Sequence, residues 1–135
     1  MSQKLDELIS DFEFLDDWEE RYRYVIELGR ALPAMADALK TPATKVSGCA
    51  SQVWIYSNIE GTHLKLQGDS DALIVKGLIA IAFMIFEPLT LPEIEAVDTP
   101  FIFAKLGLKD HLTPQRSNGL ASMVARIKAD ARAAK

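Results

Sequence analysis

Leu5, Leu8, Ile9, Phe12 and Leu15 recur at the i, i+3, i+4, i+7 spacing of one helical face, while Asp6, Glu7, Asp11 and Glu13 fall mostly on the other. The pattern predicts an amphipathic helix. Asp17 followed by Glu20 resembles a capping box, and Trp18, Tyr22, Val25, Gly29 and Leu32 then repeat with helical period until Pro33 ends a second helix. From Pro33 to Lys45 the periodicity fails and Thr41-Pro42 marks a loop, with a short helical turn over Met35 to Leu39. Beyond Lys45 the period changes. Val53 to Ile59 is β-branched and aromatic, Glu60-Gly61 reads as a turn, and Thr62 to Gln67 alternates with Leu64 and Leu66 on one side. That is a β-hairpin, and Val46 opens a short strand ahead of it, giving three antiparallel strands.

Gly68-Asp69-Ser70-Asp71 closes the sheet segment and offers Asp69 and Asp71 as caps for a helix over Ala72 to Phe86. Ile74, Leu78, Ile81 and Ile85 form its stripe, and with Ala80, Ala82, Phe83 and Met84 also apolar it is expected to be covered on most sides. Gly77 inside it predicts a close approach, most simply by the cysteine loop or the sheet. Two short helices are expected, one after Pro92 and one from Pro100 to Leu106, the latter stopped by Gly107. Thr113-Pro114 is an N-cap and N1 pair for a last helix carrying Leu120, Met123, Val124 and Ile127 into a basic, alanine-rich tail that frays. There is no internal repeat and no dividing linker, so one domain over residues 1–135 is expected. Its class is α+β: a small three-stranded antiparallel sheet with helices on one face.

Hydrophobic residues make up 49% and charged ones 25% of the 135 residues, the balance of an ordered globular chain. Fifteen Lys plus Arg against nineteen Asp plus Glu leave a net charge of −4, the wrong sign for affinity based on phosphate neutralisation. No nucleic-acid partner is expected. The first residues turn acidic at Asp6 and Glu7 where a secretory signal needs an apolar stretch. The longest apolar run, Leu78 to Phe86, is less than half of the roughly 20 residues that span a bilayer. A cytoplasmic protein without a membrane partner is the expectation.

Cys49 is the one cysteine, which excludes an internal disulfide and any multi-thiolate zinc or iron–sulfur site. Thiol chemistry must be done singly or with a second protein. Gly48, Ala50 and Ser51 surround Cys49 with little bulk between two apolar strand-like pieces, so another protein's sulfur can approach closely. Lys45 and Arg116 are candidates to favour its thiolate by charge alone. The competing reading is a buried small hydrophobe, since free cysteine is among the most buried residue types. His63 and His111 raise a Cys–His hydrolase as an alternative, beside a partner-independent thiol redox enzyme, but neither histidine lies in a local signature. Trp54 and Tyr56 read as packing residues rather than a base-stacking platform.

Val46-Ser47-Gly48-Cys49-Ala50-Ser51-Gln52-Val53-Trp54 resembles the cysteine-loop signature of the SufE family of sulfur acceptor (cysteine desulfuration) proteins, whose CsdE paralogue shares it. Glu20 to Leu32, Gly68 to Ile81 and Leu106 to Val124 resemble that family in the same order, so the likeness covers nearly the whole chain. It implies that Cys49 accepts persulfide sulfur from a cysteine desulfurase of the SufS or CsdA type and stimulates that enzyme. The sulfur is then delivered to an iron–sulfur assembly scaffold. The implied fold is the one shared with IscU and NifU scaffold domains. The resemblance also implies a persulfide-carrying activator rather than a stand-alone enzyme. It implies no cofactor or metal on this chain, the pyridoxal phosphate residing on the desulfurase. Arg116 and Asn118, in the family-like Pro114 to Gly119 block, and Asp71 beside the loop are candidate partner or thiolate contacts. A thiol that travels as a persulfide is expected to be at least partly covered until docking.

Overall fold

The computed structural model describes residues 3–49 and 51–134. Two amphipathic helices open the chain, α1 (Gln3–Phe14) and α2 (Trp18–Ala31). Leu5, Leu8 and Phe12 bury the apolar face of α1. Asp17 caps α2 by accepting from the Glu19 amide, a simple N-cap in place of the expected box. A 3-10 turn at Asp37–Leu39 follows, then the hairpin β1 (Val53–Glu60) and β2 (His63–Ser70). Gly61 turns the hairpin at φ +63°. The remaining helices are α3 (Leu73–Phe86), α4 (Leu91–Ala96), α5 (Thr99–Lys105), α6 (Leu108–His111) and α7 (Pro114–Ala133).

The antiparallel register pairs Val53 with Ser70, Ile55 with Gly68 and Ser57 with Leu66. Val53, Ile55, Leu64 and Leu66 are therefore on one face, buried under α3 and α7. Ser57 on the same face donates to Asp130 of α7 at 2.6 Å. The α+β class and the one-sided helical cover match the sequence reading.

The third strand does not form. Lys45 makes an isolated bridge to Trp54, supported by hydrogen bonds from the Val46 amide to Val53 (2.8 Å) and from the Ile55 amide to Thr44 (2.9 Å). Upstream, Pro42 lacks a donor and the Thr44 hydroxyl is spent on the Leu39 carbonyl, which closes a turn. Downstream, Gly48 leaves the ladder at φ +88°. One bridged pair, with its two hydrogen bonds, is all that fits between these turns.

Three other expectations change. β2 runs through Ser70, so Gly68 to Asp71 does not end the sheet early, and neither Asp69 nor Asp71 caps α3: its N-cap is Ala72, whose amide donates to the Ser70 hydroxyl at 3.2 Å. Gly77 meets α2 rather than the cysteine loop or the sheet, because a Cβ there would overlap the Val25 carbonyl. Gly29 faces it from α2, where a Cβ would lie 2.6 Å from the Leu73 carbonyl oxygen. This glycine pair lets the two backbones touch. The tail continues as α7 through Ala133, held by buried Ile127 and Ala131. No helix among the described residues is long and apolar enough to cross a membrane.

Candidate functional site

Cys49 sits on a loop whose two arms are fixed separately. The upstream arm is the short bridge at residues 44–46. The downstream arm is held by Asp71, whose carboxylate accepts from the Gln52 amide at 3.1 Å while its own amide donates to the Gln52 carbonyl at 3.4 Å. Between them Gly48 is needed twice over, for its positive φ and because a Cβ there would press on the Ser122 hydroxyl of α7.

The loop lays Cys49 on the first half of α7. Its thiol donates to the Gly119 carbonyl at 3.6 Å and is half-buried, the partial cover expected of it. Burial pushes the thiol pKa above its ordinary value, so the resting group is a thiol and a weak nucleophile. Beside it lies a cavity of about 220 Å³ whose lining includes Ser51, Leu78, Arg116, Gly119 and Met123. A groove of about 1000 Å³ elsewhere, between α2, α3 and β2, is larger, but its lining holds no thiol or imidazole. Cys49 lines the smaller cavity.

Arg116 reaches that cavity, but its guanidinium donates to the Tyr22 hydroxyl at 2.7 Å and lies 5.7 Å from the centre of the Tyr22 ring. Its amide donates to the Thr113 hydroxyl, the N-cap of α7. The structure thus shows Arg116 locking α2 to α7 at the cavity wall, its side-chain hydrogen bond going to Tyr22 rather than to Cys49. Asn118 is exposed on α7 and is not in the cavity lining. Lys45 is exposed, and Ala50 lies outside the described residues. Neither histidine approaches the thiol: His63 pairs with Thr90 at the hairpin end, and His111, at the end of α6, stacks on Trp18 with ring centres 4.1 Å apart. No general base faces the cavity among the described residues.

On the other face of the sheet Asp69 bridges Lys40 (2.8 Å) and Lys76 (3.3 Å). Burial raises its carboxyl pKa, but Lys40, the Ser70 amide and Lys76 outweigh that and hold it below the ordinary range. Lys40 also lies 5.5 Å over the Trp54 ring. Among the described residues no three His, Cys, Asp or Glu side chains are grouped to hold a metal. Tyr22, Ser122 and Arg126 are site neighbours that periodicity does not reveal. Gly119 does carry a signal, being a glycine inside a helix at the point of closest approach.

Three comparisons bear on this site. The family model described as SufE, an Fe-S metabolism associated domain, matches residues 6–131. An uncharacterized SufE-like protein of Rhizobium etli is 52% identical over 132 residues, covering 95% of this chain and 89% of the relative. One from Rhizobium meliloti is 51% identical over 131 residues, covering 94% of each. The solution structure of a hypothetical protein from Thermus thermophilus superposes with a TM-score of 0.78 over 97% of this chain and 95% of that one, at 22% identity, a likeness of fold.

Proposed function

The chain belongs to the SufE family, associated with Fe-S metabolism, and from that premise we propose that Cys49 is a sulfur acceptor serving iron–sulfur cluster assembly. The donor is the persulfide of a cysteine desulfurase of the SufS or CsdA type, whose own pyridoxal phosphate liberates the sulfur, and a cluster scaffold is the recipient. Cys49 loses its proton and its thiolate attacks the outer sulfur of the donor persulfide. A new S–S bond forms at Cys49, the donor S–S bond breaks, and the donor cysteine leaves as thiolate. One sulfur moves and there is no net oxidation. Removing sulfur from the donor cysteine frees it for another cycle, which is how the chain stimulates the desulfurase.

The observation that carries this reading is a half-buried lone thiol facing a cavity with room for a further sulfur and with no histidine in its lining. A Cys–His hydrolase needs a base within hydrogen-bond reach, so the same observation disfavours that alternative. Because burial raises the Cys49 pKa, the deprotonating group comes from the docked partner or from opening of the loop. Gly48 and Ser51 shape the loop, Asp71 holds its downstream arm, and Arg116 acts through Tyr22 as a wall of the cavity. Asn118 is offered to the partner surface.

The test is intact-protein mass after incubation with a cysteine desulfurase and cysteine. A gain of one sulfur atom that reductant removes, present in the native protein and absent from Cys49→Ser, is expected. An active desulfurase that leaves the mass unchanged would overturn the proposal.

A further inference from the structure

α7 holds the Cys49 loop along one face, at positions three and seven residues apart. Gly119 accepts from the thiol, Ser122 lies against Gly48, and Arg126 reaches the chain ahead of the loop. Arg126 donates from Nη2 to the Ala43 carbonyl at 2.6 Å and from Nη1 to the Lys45 carbonyl at 3.3 Å. Its Nε faces Asp130 at 3.1 Å, and Asp130 is itself fixed by the Ser57 hydroxyl of β1. A surface i, i+4 ion pair would leave the guanidinium to solvent. Here its planar fork is aimed by a braced carboxylate at two carbonyls of the upstream arm.

Apart from Arg126, that arm is held by a local turn, in which the Thr44 and Lys45 amides donate to the Thr41 carbonyl, and by buried Val46. Its pairing to β1 is the two hydrogen bonds through Val46 and Thr44. We propose that Arg126 is a positioning residue for the reacting cysteine: by tying Ala43 and Lys45 to α7 it sets the fraction of time that the Cys49 loop lies closed over its cavity. The Arg126, Asp130 and Ser57 triad holds the upstream arm as Asp71 holds the downstream one. Loss of Arg126 lets the arm lift, and Cys49 becomes both more accessible and easier to ionise. The inference deepens the reading of Cys49 as the reacting thiol, and its test needs no desulfurase.

The experiment is the rate of Cys49 alkylation by iodoacetamide in the isolated protein, measured beside the thermal midpoint. Arg126→Gln is expected to alkylate roughly tenfold faster, the scale set by losing hydrogen bonds from a charged donor. Arg126→Lys keeps the charge and one donor direction and is expected between the two. Lys128→Ala is the control on the same helix, because it removes donors to Val97 and Glu95 without touching the loop. Its alkylation rate stays at the native value even where its midpoint falls. An Arg126→Gln rate equal to native, or an equal rise in Lys128→Ala, overturns the inference. Should Arg126→Gln fail to fold, Asp130→Asn frees the fork while keeping the charge, and an unchanged rate there overturns it as well. A protein that alkylates faster as Arg126→Gln yet never accepts sulfur keeps this inference and loses the carrier reading.

Discussion

Cys49, Asp69 and Tyr24 are each moved from their ordinary ranges by what surrounds them. Burial alone raises the Cys49 pKa, whereas two lysines and an amide hold Asp69 down against its own burial. Tyr24 shows the same logic in an alkaline range. Burial, followed by its hydrogen bond to Asp11 and the nearby charges of Asp11 and Glu7, pushes its phenol up to about 12 from an ordinary 10.0. Between those values the unfolded tyrosine releases its proton while the folded one keeps it, so the unfolded state binds fewer protons and stability falls as pH rises. Urea midpoints of the native protein and Tyr24→Phe, compared at about pH 8 and pH 11, are expected to converge on the alkaline side. A native advantage unaltered by pH would refute the assignment. The candidate site at this scale is partly legible: Cys49 and Gly48 stand out through the resemblance of the Val46 to Trp54 segment to a family signature, since a glycine beside a cysteine carries no information alone. Tyr22 and Arg126 do not, since a tyrosine or an arginine on a helix carries no mark of the partner it will meet.

Elements meet where small residues let them. Gly29 and Gly77 bring α2 and α3 into backbone contact, and Gly68 lets α3 lie on the sheet, with Phe83 2.9 Å from where a Cβ would be. Gly77→Ala is expected to cost about 3 kcal/mol, the upper range for forcing a methyl into a packed site. Gly61→Ala has nothing within 4 Å and meets only its φ of +63°, so it is expected to cost about 1 kcal/mol. Urea denaturation of the two variants checks the order, and equal costs would show that backbone conformation, not the helix contact, selects Gly77. The helices themselves were readable because a stripe of apolar residues and a cap are local properties. The third strand was misjudged because pairing depends on what Pro42 and Thr44 do to the chain around Val46. The four-residue α6 was missed because one turn has too little periodicity to detect.

Among the described residues, helices α1 to α7 and the hairpin all contribute buried or partly buried side chains to one continuous hydrophobic cluster, from Leu5 in α1 to Ala131 in α7. Such a core is expected to unfold in a single step. Trp18 stands at the start of α2 and Trp54 in β1, so they sample different elements. Fluorescence of Trp18→Phe and of Trp54→Phe, each followed with circular dichroism through heat denaturation, is expected to give coincident transitions. A separate transition for either tryptophan would divide the chain into independent units.

The sequence by itself determined the α+β order, the hairpin, the buried helix α3 and the N-cap of α7, because periodicity, turn residues and capping side chains act over a few neighbouring positions. The tertiary structure alone decided that the upstream arm stays a bridge, that Gly77 serves α2, that Asp71 clamps the loop instead of capping a helix, and that Arg116 faces Tyr22. Each of these depends on groups tens of residues apart competing for the same hydrogen bond or the same few ångströms of space.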